Sequence, residues 1–277
     1  MRKIIWIPLL CLLLLCGCAH QVSNESTKTT QSVLEDTNTS TEEIRKETIE
    51  CAATEGLVTK ESLKSNKPCQ IRLTKQQENE ETGYTLVVEV DTGHTVLKKE
   101  LDFEVIPLSH ESMLHLGDVD GDEIKEILIH HNTGGVGGFG IWQTWVLKIE
   151  GNEIHTLFEN FDEFDTGFES RFLDGYQLEV ENRFTGYSLV FGVKDSHKTY
   201  IANSIEMPDG NICLDPFCMF EPKDVDDDGI CEIVCKQYSS IIGHADYTGT
   251  ANSVLKFNLN TQLFEVVDAW YEPNTEG

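Results

Sequence analysis

The chain has few cations: 21 Lys and Arg stand against 48 Asp and Glu, a formal charge of −27 at pH 7. A surface this acidic repels nucleic acid and anionic lipid, which argues against either as a partner bound through it. Helical periodicity is nearly missing. Apolar spacing of the helical kind shows only weakly, near Thr41 to Glu50 and Thr59 to Ser65. Signatures of familiar catalysis are missing too: there is no nucleophile elbow, no His-Glu-x-x-His and no coupled Ser/His pattern. The sequence therefore assigns no catalytic residue, and a non-enzymatic role is the expectation.

Two acidic loops are what the chain does have. Asp118-Val-Asp-Gly-Asp-Glu-Ile-Lys-Glu126 and Asp224-Val-Asp-Asp-Asp-Gly-Ile-Cys-Glu232 each place carboxylates at loop positions 1, 3, 5 and 9, and a strand start follows at once. Calcium is a hard cation that takes six to eight oxygen ligands, and alternate carboxylates on a tight loop supply most of them. Four carboxylates crowded together without a cation repel one another, so the spacing asks for a positive charge. An acidic β-turn without metal is the plainer reading.

The loops lie in the two halves of an internal duplication. Glu78-Asn-Glu-Glu-Thr-Gly-Tyr-Thr-Leu-Val-Val-Glu-Val90 reads against Glu181-Asn-Arg-Phe-Thr-Gly-Tyr-Ser-Leu-Val-Phe-Gly-Val193. Met113 then aligns with Met219, Trp145-Val-Leu-Lys-Ile149 with Ser253-Val-Leu-Lys-Phe257, and Thr156-Leu-Phe-Glu159 with Gln262-Leu-Phe-Glu265. Each copy is roughly 100 residues long, spanning about 70–160 and 173–268. Repeats of this kind bury their apolar faces against each other, which predicts one cooperative unit.

Short stretches rich in β-branched and aromatic residues predict strands at Tyr84 to Val90, Glu126 to His130, Thr144 to Ile149, Tyr176 to Glu181 and Ser188 to Val193. Asp91-Thr-Gly and Glu150-Gly-Asn read as hairpin connections. The expected fold is mainly β: two tandem repeats forming a propeller-like domain over 49–277, with a sandwich as the alternative.

The N-terminus reads as an export signal over residues 1–17: Arg2 and Lys3 precede an apolar run, Ile4 to Cys16, too short to span a bilayer stably. Leu15-Cys16-Gly17-Cys18 resembles the lipobox of bacterial lipoproteins, and the resemblance implies that Cys18 is cleaved to the new N-terminus and acylated. A cleaved signal with an incidental Cys18 is the alternative. Multiple acyl chains anchor a protein stably where one is marginal. Residues 18–48, rich in Ser, Thr, Asn, Glu and Lys, read as a disordered tether. The expected place is the bacterial membrane, lipid-anchored and facing outside the cytoplasm, with the membrane touched only through the anchor.

Of nine cysteines, six lie beyond Cys18: Cys51, Cys69, Cys213, Cys218, Cys231 and Cys235. An even count in an exported chain suggests disulfides. Cys51 with Cys69 is the expected pair, and Cys213 and Cys218 either pair mutually or cross to the strand carrying Cys231 and Cys235. Those last two are spaced too far along one strand to pair with each other. The Cys spacing is a poor zinc signature.

The acidic loops resemble the calcium loops of FG-GAP or VCBS repeats, found in integrin α-chain propellers and bacterial surface proteins. The resemblance covers some 12–15 residues per copy. It implies a site formed by Asp118, Asp120, Asp122, Glu126 and the Ile124 carbonyl, and a second by Asp224, Asp226, Asp228, Glu232 and the Ile230 carbonyl, for up to two calcium ions. Two departures stand out: Glu replaces the usual Asp at position 9, and Glu123 stands where a Gly normally eases the turn. An EF-hand fails because its position 12 would be Ile129 and Cys235. The stretches His130 to Gly135 and Gly243 to Asp246 also resemble Firmicute lipoproteins of unknown function, and that resemblance implies no activity.

Several motifs point to structure rather than chemistry. Asp91-Thr-Gly93 follows a hydrophobic strand as in aspartic proteases, and Asp165-Thr-Gly167 is a second copy. The two are not equivalent in the duplication, so a turn explains them better. Gly134 to Gly140 lacks the Lys-Ser/Thr of a phosphate loop and reads as an inter-strand loop. The run Glu159 to Asp165 reads as a solvated acidic loop. His130 and His131 fall on opposite strand faces and read as ordinary core or surface histidines, and His94 and His197 as matched turn residues. The expected function is a calcium-stabilised surface lipoprotein that binds an extracellular protein or glycan. The alternative is a cell-envelope hydrolase working through the loop carboxylates.

Overall fold

The computed structural model describes residues 47–56, 58, 68–79, 83–101, 111–133, 142–160, 164–198, 212–241 and 246–274. The export signal, Cys18, nearly all of the tether, the helical reading at Thr59 to Ser65, the Gly134 to Gly140 loop and Gly243 to Ala245 lie outside the described residues. All described residues belong to one unit, Ile44–Gly277.

Four antiparallel meanders make up the fold, each with its strands in sequence order. Sheet I holds β1 (Glu47–Gly56), β2 (Cys69–Asn79), β3 (Gly83–Asp91) and β4 (Val96–Leu101). Sheet II holds β5 (Ser112–Gly117), β6 (Glu126–Asn132), β7 (Trp142–Glu150) and β8 (Glu153–Asn160). Sheet III has three strands, β9 (Phe168–Leu173), β10 (Gln177–Asn182) and β11 (Ser188–Gly192). Sheet IV holds β12 (Cys213–Lys223), β13 (Glu232–Ser240), β14 (Tyr247–Asn258) and β15 (Leu263–Pro273). Among the described residues the only helix is a single turn at 195–198. The protein is mainly β, and all five strands expected from sequence overlap observed strands, with Tyr176 and Val193 falling one residue outside.

One expectation fails here. The weak helical period at Thr41 to Glu50 gives way to strand at its described end, because Glu47 to Glu50 pair with Thr74 to Gln77 of β2. Cross-strand pairing outweighs a weak local preference. β1 thereby starts at Glu47, inside the stretch read as tether.

Burial explains the strand patterns. Sheet II is covered on both faces. Ile127, Ile129, Trp145 and Leu147 face sheet I in one core, while Leu128 and Val146 enter a second core with Phe217, Phe220, Ile233 and Leu255 of sheet IV. β6 is accordingly buried almost throughout, as strands covered on both faces are. Sheet IV also meets sheet III, in a third core that joins Leu178 and Val180 to Ala251 and Tyr271. In the outer sheets, β4 and β10 carry buried residues interspersed with exposed ones, the mark of a sheet with one wet face. The packing order is thus I, II, IV, III.

Sheets II and IV carry the same parts. In each, the first and second strands are joined by an acidic loop, and the third strand carries a Val-Leu-Lys segment.

His130 and His131 are core residues on opposite faces of β6. His131 Nδ1 meets the Ser112 hydroxyl at 2.5 Å. His130 stacks on Trp142, ring centroids 4.2 Å apart, and lies 6.4 Å from the Phe220 ring across the sheet interface. Burial, with neighbouring His115 and His131, pushes the His130 imidazole down to about 3 against the Cys218 backbone, which favours its charge. A depressed folded value gives stability that is full above the ordinary 6.5 and drains as pH falls toward 3. The expected slope from this one group is up to about 1.4 kcal/mol per pH unit. His130→Phe keeps the stack and should remove that slope, read from urea unfolding between pH 6.5 and 4.5. Parallel curves for the variant and the parent would contradict the assignment.

Candidate metal centre

Each acidic loop is built the same way. The first carboxylate ties the turn: Asp118 accepts from the N–H groups of Gly121 and Glu123, both at 2.8 Å, and Asp224 from Asp228 and Gly229 at 3.1 and 3.0 Å. The position 5 carboxylate accepts from the N–H two residues on, Asp122 from Ile124 and Asp228 from Ile230, both at 2.8 Å. The closing glutamate reaches back to the loop start, Glu126 to the Val119 N–H at 2.9 Å and Glu232 to Val225 at 3.2 Å. These bonds shape the loop and leave one free carboxylate oxygen at each of positions 3, 5 and 9.

A lysine meets all three of those oxygens in the second loop and two of them in the first. In the second loop Lys256 Nζ lies 3.3 Å from Asp226, 3.3 Å from Asp228 and 2.6 Å from the Oε1 of Glu232. In the first loop Lys148 Nζ bridges Asp120 and Asp122, the latter at 2.5 Å. Glu126 Oε1 is left buried without a hydrogen-bond partner. Burial first, and then the Asp120 and Asp122 charges, push the Glu126 carboxyl up to about 8, against the Val119 N–H and Lys148. Both lysines are held above their ordinary value. For Lys148, Asp120 and Asp122 outweigh the opposing burial; for Lys256, Glu232 is the leading partner.

Two acidic triads could hold metal ions: Asp118, Asp120 and Asp122, and Asp224, Asp226 and Glu232, with ligand atoms in each within 4.8 Å of one another. All the available donors are hard oxygen, and the partnerless Glu126 Oε1 is an oxygen that a bound cation would satisfy, so the residues fit a hard divalent ion. The structure leaves Asp228 and Glu126 outside these triads. Ile124 and Ile230 donate their N–H groups to the loop.

Glu123 is strained as its position implies. Each loop has two left-handed residues at matching sites: Gly121 and Glu123 at φ 78° and 64°, Asp227 and Gly229 at 59° and 90°. Each copy supplies one glycine, at opposite sites. Gly229→Ala meets no atom within 4 Å, so its effect is pure backbone strain. A loss of about 1–2 kcal/mol is expected in urea unfolding, and Glu123→Gly should shift the other way by a smaller amount. An unchanged Gly229→Ala midpoint would count against the left-handed assignment.

The two loops touch. The Asp118 carbonyl accepts from the Cys231 N–H at 2.6 Å. A Cβ on Gly117 would sit 3.3 Å from the Cys231 Cβ, and one on Gly121 would sit 2.8 Å from the Ile230 side chain. A cleft of about 350 Å³ opens beside them, lined by Val119, Asp120, Ile230, Lys256, Phe257 and Val267 among others.

Lys148 and Lys256 are the residues sequence reasoning missed as part of the site. Their signal was present, since both occupy the aligned Val-Leu-Lys segments of the duplication. Other motifs resolve as structure. Asp91-Thr-Gly93 is the β3–β4 hairpin turn, with Asp91 accepting from the Gly93 N–H at 2.7 Å, and Asp165 does the same for Gly167 at 2.9 Å. His94 and His197 differ: His94 is exposed in its turn, whereas His197 is buried and its Nε2 contacts the Asp246 carboxylate. Both histidines lie in turns as expected, but only His197 is buried and paired.

All six described cysteines are free thiols. The expected Cys51–Cys69 pair is ruled out by register, because Cys69 lies opposite Gly56, at the far end of β1 from Cys51. Five residues of strand are roughly 16 Å, well beyond disulfide reach.

A family model described as the YybI C-terminal domain matches residues 166–272. That span takes in sheet III, the second acidic loop and nearly all of sheet IV. Neither the curated proteins nor the solved structures give a match to this chain.

Proposed function

We propose that this chain is a lipid-anchored protein of the bacterial surface whose two loops hold up to two calcium ions that stiffen a non-enzymatic binding scaffold. The observation that carries the reading is a triad of acidic side chains in each loop, Asp118, Asp120 and Asp122 in the first and Asp224, Asp226 and Glu232 in the second, with ligand atoms close enough to share one ion. Asp120, Asp122 and Glu126 would hold one ion, joined by Asp118 and the Ile124 carbonyl. Asp226, Asp228 and Glu232 would hold the other, with Asp224 and the Ile230 carbonyl. A bound ion would supply charge neutralisation and cross-linking of each loop to its strand.

The two-face burial of sheet II supports a propeller-like arrangement of blades over the sandwich alternative, in which each sheet buries one face. The acid-rich surface suits an extracellular protein or glycan partner rather than nucleic acid. The hydrolase alternative would draw on Glu126, whose raised carboxyl is a usable acid. That side chain is 0% exposed, however, and so closed to a glycan.

Equilibrium dialysis with radioactive calcium tests the metal assignment. Two ions are expected per chain, with one lost in Asp120→Ala and the other in Asp226→Ala. Retention of both ions in the two variants would overturn the ligand sets. The anchor is tested separately by labelling cells with a tagged fatty acid: incorporation should vanish in Cys18→Ser, and its persistence would remove the lipoprotein reading.

A further inference from the structure

We propose that Lys148 and Lys256 are resident cations of the two loops, each occupying its site in the metal-free protein and expelled when a divalent ion enters. The inference rests on the calcium reading and adds to it the element that sets affinity. Three observations carry it. The lysines come from equivalent places on the third strands of sheets II and IV, so the device was kept in both copies. Each ammonium contacts the oxygens that would ligate metal, Asp120 and Asp122 in one loop, Asp226, Asp228 and Glu232 in the other. A second positive charge at the same focus is strongly repelled at that separation, so ammonium and metal exclude each other.

The third observation separates the lysine from a merely structural counter-ion. Lys148 contacts Asp120 and Asp122 only, and Glu126 Oε1, on a side chain 0% exposed, keeps no hydrogen-bond partner. A buried oxygen beside a charged cluster and without a donor is costly. A cation bound by all three oxygens removes that cost, so the first loop retains a drive toward metal that its lysine does not quench.

The loops should differ in how readily they exchange. The Lys148 side chain is 17% exposed and Lys256 is 34% exposed. The contacts of Lys256 to Asp226 and Asp228 are also longer, at 3.3 Å. Lys256 has the shorter way to solvent, so the second loop should exchange its lysine faster. Each lysine keeps its apolar stem along the sheet and moves only its head group.

Calorimetric titration of calcium into the full chain tests this, with Lys148→Met, Lys256→Met and the charge-keeping Lys148→Arg. Each Met variant should tighten one site on the order of tenfold or more, while Lys148→Arg stays near the parent. Should Lys148→Met fold only when calcium is present, that dependence supports the proposal too. Reductive methylation of the wild-type protein gives a readout that needs no variant: Lys148 and Lys256 should become more reactive in calcium. Calcium binding with affinities and lysine reactivity unchanged would overturn the exchange while leaving the metal sites standing. No calcium uptake by the parent or any variant would overturn both.

Discussion

Phe220→Ala is expected to lower the unfolding free energy by about 3–5 kcal/mol, the range for removing a large aromatic from a packed core. The side chain is 1% exposed and sits where sheets II and IV meet. Its ring lies 5.6 Å from Phe217, 5.7 Å from Phe158 and 6.4 Å from His130, so it touches both halves of the duplication. Sheet II is covered by sheet I on one face and by sheet IV on the other, so loosening that seam strips cover from both repeats. Urea unfolding followed by tryptophan fluorescence and by far-ultraviolet circular dichroism should show one coincident transition, moved to lower denaturant with its slope kept. Two separated transitions would mean that the halves fold independently, contrary to the shared core.

The second large effect is electrostatic. In a chelator, Lys148→Met leaves Asp118, Asp120, Asp122 and Glu126 together with no cation among them. Asp120 and Glu126 are buried whereas Asp118 and Asp122 are partly open to water, so removing their cation is expected to cost about 2–3 kcal/mol. Saturating calcium should return most of it, since a ligand held a hundredfold above its dissociation constant adds about 2.7 kcal/mol. Lys256→Met should cost less, about 1–2 kcal/mol, because its ion pairs with Asp226 and Asp228 are open to water and only Glu232 is left buried without its partner. Thermal melts of the two variants with and without calcium measure both numbers. Equal losses that calcium does not recover would show that the lysines act only as packing and pairing residues.

Much of this was legible in the sequence, for identifiable reasons. The strands at Tyr84 to Val90 and Ser188 to Val193 were readable because β-branched residues bounded by turn residues leave a local signal. The loops were readable because carboxylate spacing is local as well. Partners that meet only in three dimensions were not. Lys148 lies a whole strand away from the loop it neutralises, and only the fold of the meander brings β7 back beside it. His197 and Asp246 are joined by a contact between the turn after β11 and the start of β14, which no local pattern announces. The Cys51–Cys69 expectation came from nearness in sequence, and antiparallel register decided otherwise. The helical period ending at Glu50 lost to pairing with β2. The order I, II, IV, III was likewise hidden, although the nearly continuous burial of β6 and β14 marks sheets II and IV as the inner ones.

The central claim is that the paired loops bind calcium in the native state only. Its most direct test is the melting temperature of the intact protein, scanned in excess chelator and across a calcium series up to millimolar. The expected result is a midpoint that climbs with calcium and falls back on chelation, by several degrees, as mass action requires for a ligand bound only by the folded chain. A midpoint unchanged from chelator to millimolar calcium would contradict the account, leaving Lys148 and Lys256 as fixed counter-ions of two acidic turns.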